Sequence, residues 1–138
     1  MKKAFTIMEL VFVIVIIGIL SAIALPKLTN TMTLAYEVKA KNTVAAVRSA
    51  LATLRQKNIL KSEFNDINYS TIGENFSNLL SLGVKKCTIS GCGGWETTST
   101  DNSNPEFTFH APGGDVVFKL ENNKLNCISD TDICKKYN

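Results

Sequence analysis

One acid and four cysteines carry most of the chemical potential of this sequence. Glu9 lies in a run, residues 5–25, that is otherwise broken only by Thr6, Gly18 and Ser21. A charge inside such a run costs at least a few kcal/mol unless something neutralises it, so Glu9 predicts a cationic partner. Cys87, Cys92, Cys127 and Cys134 form an even set, which in a small exported domain favours disulfides, with three formal pairings. Zinc is the competing reading. The intervals of four residues between Cys87 and Cys92 and six between Cys127 and Cys134 do not match the usual two-to-four spacing on both arms. The single histidine, His110, stands on the outward phase of an alternating segment with no serine or cysteine motif beside it, which predicts a satisfied or simply solvated surface histidine. Neither a phosphate-binding glycine motif nor paired carboxylates stand out, so no enzyme and no cofactor is expected.

The elements that position these residues begin with the apolar run. About 21 residues at 1.5 Å each cover roughly 31 Å, the thickness of a bilayer core, so residues 5–25 can cross a membrane as a helix. Lys2 and Lys3 ahead of it would keep the N-terminus cytoplasmic and send the remainder outward. A cleaved secretory signal is the plain alternative, with Ser21, Ala22 and Ala24 as weak processing residues, but its apolar region would run about 7 to 15 residues and has no use for a carboxylate. Net charge is +3, from 15 basic and 12 acidic side chains, and +1 without Lys2 and Lys3, so nothing demands a polyanionic partner.

Lys2, Lys3 and Ala4, followed by Phe5, Thr6, Ile7, Met8, Glu9, Leu10 and Val11 and an aliphatic run ending in Ala22, Ile23, Ala24, Leu25 and Pro26, resemble the N-terminus of bacterial type IV pilins and type II secretion pseudopilins. The resemblance is detailed over about the first 26 residues. It implies a leader, residues 1–4, removed between Ala4 and Phe5 by a prepilin peptidase that also N-methylates Phe5. The family usually has Gly where this chain has the nearly as small Ala4. It further implies that Glu9 of one subunit pairs with the Phe5 amine of its neighbour during assembly. Breaking a buried pair of that kind costs about 3 to 5 kcal/mol, because the remaining charge is stranded.

Pro26 sits within continuing helical pattern and predicts a bend rather than a stop. Residues 26–57 are the amphipathic half of the same helix, with Leu34, Val38, Val44, Val47, Leu51 and Leu54 as a core-facing stripe and Asn58 as its end. Three clean heptads with flanking charge pairs are absent, which argues against a coiled coil. Residues 5–57 would extend about 80 Å. Residues 58–138 form the head. Thr71 and Glu74 have the spacing of a capping box and predict a short helix over 72–82, stopped by Gly83. Strands are expected over 84–89 and 95–98. A hairpin follows, with Phe107 and Phe109 inward, a break at Pro112, Gly113 and Gly114, then Val116, Phe118 and Leu120 inward. Asn122 and Asn123 mark a second turn before Leu125 and Cys127. Residues 91–103 read as an exposed loop, within which Trp95 is a core plug in preference to a contact residue. Local pairing of Cys87 with Cys92 and Cys127 with Cys134 is what the resemblance favours, since the second bond would close a C-terminal loop as in many pilins. The basic pairs Lys85, Lys86 and Lys135, Lys136 read as solvated surface, with DNA contact the weaker alternative.

The expected fold is α+β: a long N-terminal helix, transmembrane in its first half, packed on a small antiparallel sheet in a pilin-like head. The expected function is a structural subunit of a type IV pilus-like or type II secretion pseudopilus filament. Its partners would be the prepilin peptidase, other pilin or pseudopilin subunits, the inner membrane and assembly platform proteins with their ATPase. The chain would cross the bacterial inner membrane once, head on the periplasmic side, before entering the filament. A membrane-anchored periplasmic binding module that does not polymerise, and a competence pseudopilin for DNA uptake, are the alternatives.

Overall fold

The computed structural model describes residues 5–137, and the chain divides into two compact units, Met1–Ala35 and Tyr36–Asn138. One helix, α1 (Ile7–Leu60), supplies most of the described part of the first unit and opens the second, running through Pro26 without ending. Its close is a Schellman arrangement. Glu63 N–H donates to Asn58 O at 2.9 Å and Ser62 N–H to Ile59 O at 3.0 Å, with Ser62 at φ 62° where glycine is usual. The helix therefore ends at Leu60 rather than at Asn58, whose carbonyl is the acceptor that closes it.

In the first unit the apolar side chains of residues 5–25 lie between 40% and 82% exposed, on every side of the helix. Among the described residues this is the helix long and apolar enough to cross a membrane. A soluble surface helix hides a stripe, whereas one that is apolar all round belongs in an apolar medium or against many neighbours.

The second unit is a four-stranded antiparallel meander with the rest of α1 on one face. Its strands are β1 (Gly94–Ser99), β2 (Glu106–Ala111), β3 (Gly114–Glu121) and β4 (Lys124–Cys127), in spatial order of sequence. The Phe107, Phe109, Val116, Phe118, Leu120 and Leu125 phase points inward as expected, joined by Trp95, which is fully buried. Asn122 and Asn123 both have positive φ, 50° and 63°, as the tight two-residue turn between β3 and β4 requires. A last helical turn, α3 (Thr131–Cys134), is capped by the Asp130 carboxylate.

Four expectations are corrected. The α1 stripe is Tyr36, Ala40, Val44, Val47, Leu51 and Leu54; Leu34 and Val38 are exposed, because at about 100° per residue they fall more than a quarter turn from the line of Ala40, Val44 and Leu51. The helix over 72–82 is replaced by α2 (Tyr69–Ile72), a 3-10 turn at Glu74–Phe76 and turns beyond it. Asn68 caps α2 by accepting from Thr71 N–H at 3.1 Å, so Thr71 is inside that turn and not its cap. Asn75 and Phe76 then take positive φ, 49° and 62°, which breaks the helix and sends the Phe76 ring inward, 5.3 Å from Trp95 and 4.3 Å from Phe107. Left-handed backbone at a residue such as Phe costs about 1 to 3 kcal/mol, and burial of the ring, worth about 1.5 to 3 kcal/mol, offsets it.

The strand over 84–89 reduces to one parallel bridge between Lys86 and Trp95. The Cys87–Cys92 bond and the turn it closes redirect the chain there. Finally, residues 91–103 are not one exposed loop: β1 lies within them, covering the strand expected over 95–98, and is entered through Gly93, which has φ 67° and whose missing side chain leaves room for the Tyr36 ring.

The corrected stripe makes a paired prediction. Leu51→Ala should destabilise the second unit by about 2 to 5 kcal/mol, whereas Val38→Ala should stay within about 0.5 kcal/mol. Denaturant unfolding of the detergent-solubilised chain, followed by Trp95 fluorescence, distinguishes the two. Equal effects would contradict this packing.

Candidate functional site

Glu9 has a local partner that the sequence reading missed. Thr6 precedes the first residue of α1, and its backbone N–H and its hydroxyl donate to Glu9 Oε2 at 3.1 and 3.0 Å. In return Glu9 N–H reaches Thr6 Oγ1 at 3.3 Å. This is a capping box: two helix-end donors are satisfied reciprocally by the residue before the helix and the third residue within it. The signal was in the sequence, since Thr6 and Glu9 have the same spacing as Thr71 and Glu74, where no box forms. Negative charge in the first turn also meets the positive end of the helix dipole. The contacts use Oε2, and a carboxylate has about four lone-pair sites, so the cap leaves capacity for a further donor. Phe5, Met8, Phe12 and Val13 surround the acid with apolar surface. The expected leader, residues 1–4, with the cut after Ala4, lies outside the described residues.

The cysteines are joined locally. Cys87 is bonded to Cys92 with Cα atoms 6.3 Å apart, and Cys127 to Cys134 at 5.5 Å. The second bond fastens the C-terminal segment to β4. Arg48 of α1 adds to that fastening, donating from Nε to Leu125 O at 3.2 Å and from Nη1 to Tyr137 O at 2.9 Å. Burial, and beyond it the Glu37 carboxylate, raises the pKa of the Tyr137 phenol.

The lysine pairs are engaged within the chain. Lys85 Nζ donates to Cys92 O at 2.9 Å, Lys86 to Glu74, Lys135 to Asp132 at 2.8 Å and Lys136 to Glu37 at 2.6 Å. The bond to Glu74 raises the Lys86 pKa. Four ammonium groups with carboxylate or carbonyl acceptors form no free basic cluster, which weighs against DNA contact at these pairs.

His110 is buried, not solvated: its side chain is 8% exposed. β2 is an interior strand, so carboxylates from both neighbouring strands close over its outer face, Glu96 of β1 and Asp115 of β3. Period-two alternation shows which face a residue takes but not that neighbours cover that face. Among the described residues no group of three or more histidine, cysteine, aspartate or glutamate side chains is arranged to hold a metal ion.

A long apolar N-terminal helix followed by a small antiparallel sheet is a pilin-like α+β architecture. The chain is similar to the type IV narrow pilus major component PilA5 of Thermus thermophilus, at 49% identity over 59 residues, which is 41% of this chain and 51% of that protein. It thus spans about half the length of the curated relative it matches. That relative is described as a major component of a pilus. No family model matches the chain, and no solved structure matches it.

Thr6→Ala should cost the first turn of α1 about 1 kcal/mol, read as lost hydrogen-exchange protection at Leu10 and its neighbours in detergent micelles. Thr6→Ser should retain most of it. Unchanged exchange in the alanine variant would argue against the cap.

Proposed function

We propose that this chain is a structural subunit of a type IV pilus-like filament, anchored by α1 in the membrane before assembly. The observation that carries the reading is the apolar run of residues 5–25, exposed on every side and bearing one carboxylate at its start. Such a surface needs lipid before assembly and the equivalent helices of other subunits afterwards. The similarity to a pilus major component supports the same reading.

The finer steps belong to the proposal. A prepilin peptidase cuts between Ala4 and Phe5 and methylates the Phe5 amine. The chain sits in the inner membrane with its head on the periplasmic side, and platform proteins with their ATPase draw it into the filament. The amine of an incoming subunit then pairs with Glu9 of its neighbour, setting register as the helices pack. Pro26 bends α1 where the apolar run ends. A secretion pseudopilus or a competence pseudopilus would use the same parts, but the engaged lysine pairs do not favour DNA, and the pilus reading has the relative behind it.

Two measurements test this. Glu9→Ala should leave the protein in the membrane fraction at wild-type abundance and abolish its recovery in sheared filaments; normal filaments from that variant would sink the pairing. Intact-mass analysis of the mature protein should give a chain starting at Phe5 with one added methyl group. Retention of residues 1–4 would instead favour an anchor that does not polymerise.

A further inference from the structure

On the face of the sheet opposite α1, His110 Nε2 lies 2.9 Å from Glu96 Oε2, and Nδ1 lies 3.0 Å from Asp115 Oδ2. A neutral imidazole has one N–H and one lone pair, so it can satisfy one carboxylate but must turn a lone pair on the other. An acceptor-only group at each nitrogen fits the doubly protonated ring. The two contacts are unequal: Nε2 makes a hydrogen bond, whereas Nδ1 approaches Asp115 off the N–H axis, at ion-pair distance only. Asp115 is also the more exposed of the two carboxylates, 38% against 31%. Its other oxygen, Oδ1, accepts from the Ser90 hydroxyl at 3.0 Å.

Ser90 belongs to the loop closed by the Cys87–Cys92 bond, whose tip carries Ile89, 73% exposed. The base of that loop is held by backbone, with Cys87 N–H to Trp95 O at 3.0 Å and Gly93 N–H to His110 O at 2.8 Å. The Ser90 to Asp115 bond reaches from the tip itself to the sheet.

We infer that His110 is a proton-operated clasp: doubly protonated it holds Glu96 and Asp115 together and, through Asp115, latches Ser90 and the loop tip to the sheet, and on losing a proton it frees that tip. Among the described residues the charges acting on the ring are Asp115 and Glu96, with Ser90 the neutral group behind Asp115. Next outward is Lys86, paired with Glu74 and also attracted by Glu96.

Burial works against charge on the ring, but the hydrogen bond to Glu96 and the close carboxylates of Glu96 and Asp115 outweigh it, so the pKa stands above the ordinary 6.5. The direction follows from a folded pKa above the unfolded one. The clasp's stabilisation is complete below about pH 6.5 and is lost as pH rises through the folded pKa. What the clasp governs is the order of an exposed apolar tip.

Nuclear magnetic resonance titration of the full chain in detergent micelles tests this, reading the His110 ring carbon and the backbone amides of Ser90 and Gly91 together. In the wild type the ring midpoint should lie above 6.5, and the two loop amides should shift with the same midpoint. Ser90→Ala, an exposed change, should leave the ring midpoint nearly in place and abolish the loop response. Asp115→Asn should lower the ring midpoint and uncouple the loop. A ring midpoint at or below 6.5, wild-type loop amides that ignore it, or loop amides that still follow it in the Ser90 variant would each overturn the clasp.

Discussion

Everything in the first unit is subordinate to the exposure of its helix. Fifteen large apolar side chains between Phe5 and Leu25 stand open, and burying each is worth about 1.5 to 3 kcal/mol. The sum is of the order of tens of kcal/mol, larger than the entire stability of an ordinary domain, about 5 to 15 kcal/mol. No arrangement of the head offsets that, so the surroundings of α1 decide where the molecule can exist. The β-branched residues of the run, Val11, Val13 to Ile17 among them, are only slightly poorer helix formers than leucine. In an apolar medium a helix satisfies every backbone donor and acceptor within itself. One place where that fails is the helix start, whose first N–H groups lack partners. There the sequence puts Thr6 and Glu9, which supply partners for two of them.

The second unit solves the opposite problem, that of a small core. The α1 face from Tyr36 to Leu54 covers one side of a four-stranded sheet, and the space between is filled by rings: Trp95 against Phe76, Phe109 and Phe118, and Phe118 against Tyr137. Few residues thereby bury much area, each aromatic contributing about 150 to 250 Å². The chain segments that the sheet cannot hold by ladder bonds are held otherwise. The Cys87–Cys92 loop and the C-terminal turn are each closed by a disulfide, and Arg48 ties the latter back to α1. The first loop lies beside the core, while the second bond holds Ile133 and Tyr137 onto it, and a covalent constraint supplements a core that is small in either case.

The contrast between what was legible and what was not follows the range of the forces involved. The apolar run, the alternation of β2 and β3 and the Asn122–Asn123 turn are written in neighbouring residues, and all were readable. The two Thr-x-x-Glu segments show the limit. Thr6 and Glu9 form a capping box because a long helix follows and nothing competes for either side chain. Thr71 and Glu74 do not, because the core draws Phe76 inward and Glu74 turns to Lys86. Val38 was separable from Ala40 by phase alone, since residues two apart lie about 200° apart on a helix, and Ala40 is on the face of Val44 and Leu51. For His110 the phase was right and a satisfied ring was one of the readings, but the cover that buries it comes from Glu96 and Asp115 on two other strands.

The capping box alters how an intersubunit pairing by Glu9 should be understood. An unanchored carboxylate in an apolar medium would pay both desolvation and the entropy of being fixed when a partner arrives. Thr6 reduces both: its N–H and hydroxyl already solvate Oε2, and they hold the side chain against the helix start. A cap of this type contributes about 1 kcal/mol, whereas a stranded partner of a buried ion pair costs about 3 to 5 kcal/mol. On the filament reading, an ammonium brought to the remaining lone pairs therefore wins any contest with the cap, yet need not displace it. On that reading the acid would wait in the membrane, solvated by its own helix end, until assembly supplied the charge it lacks. A chain with Glu9 but without Thr6 would carry the same charge into the same medium with neither the solvation nor the aim.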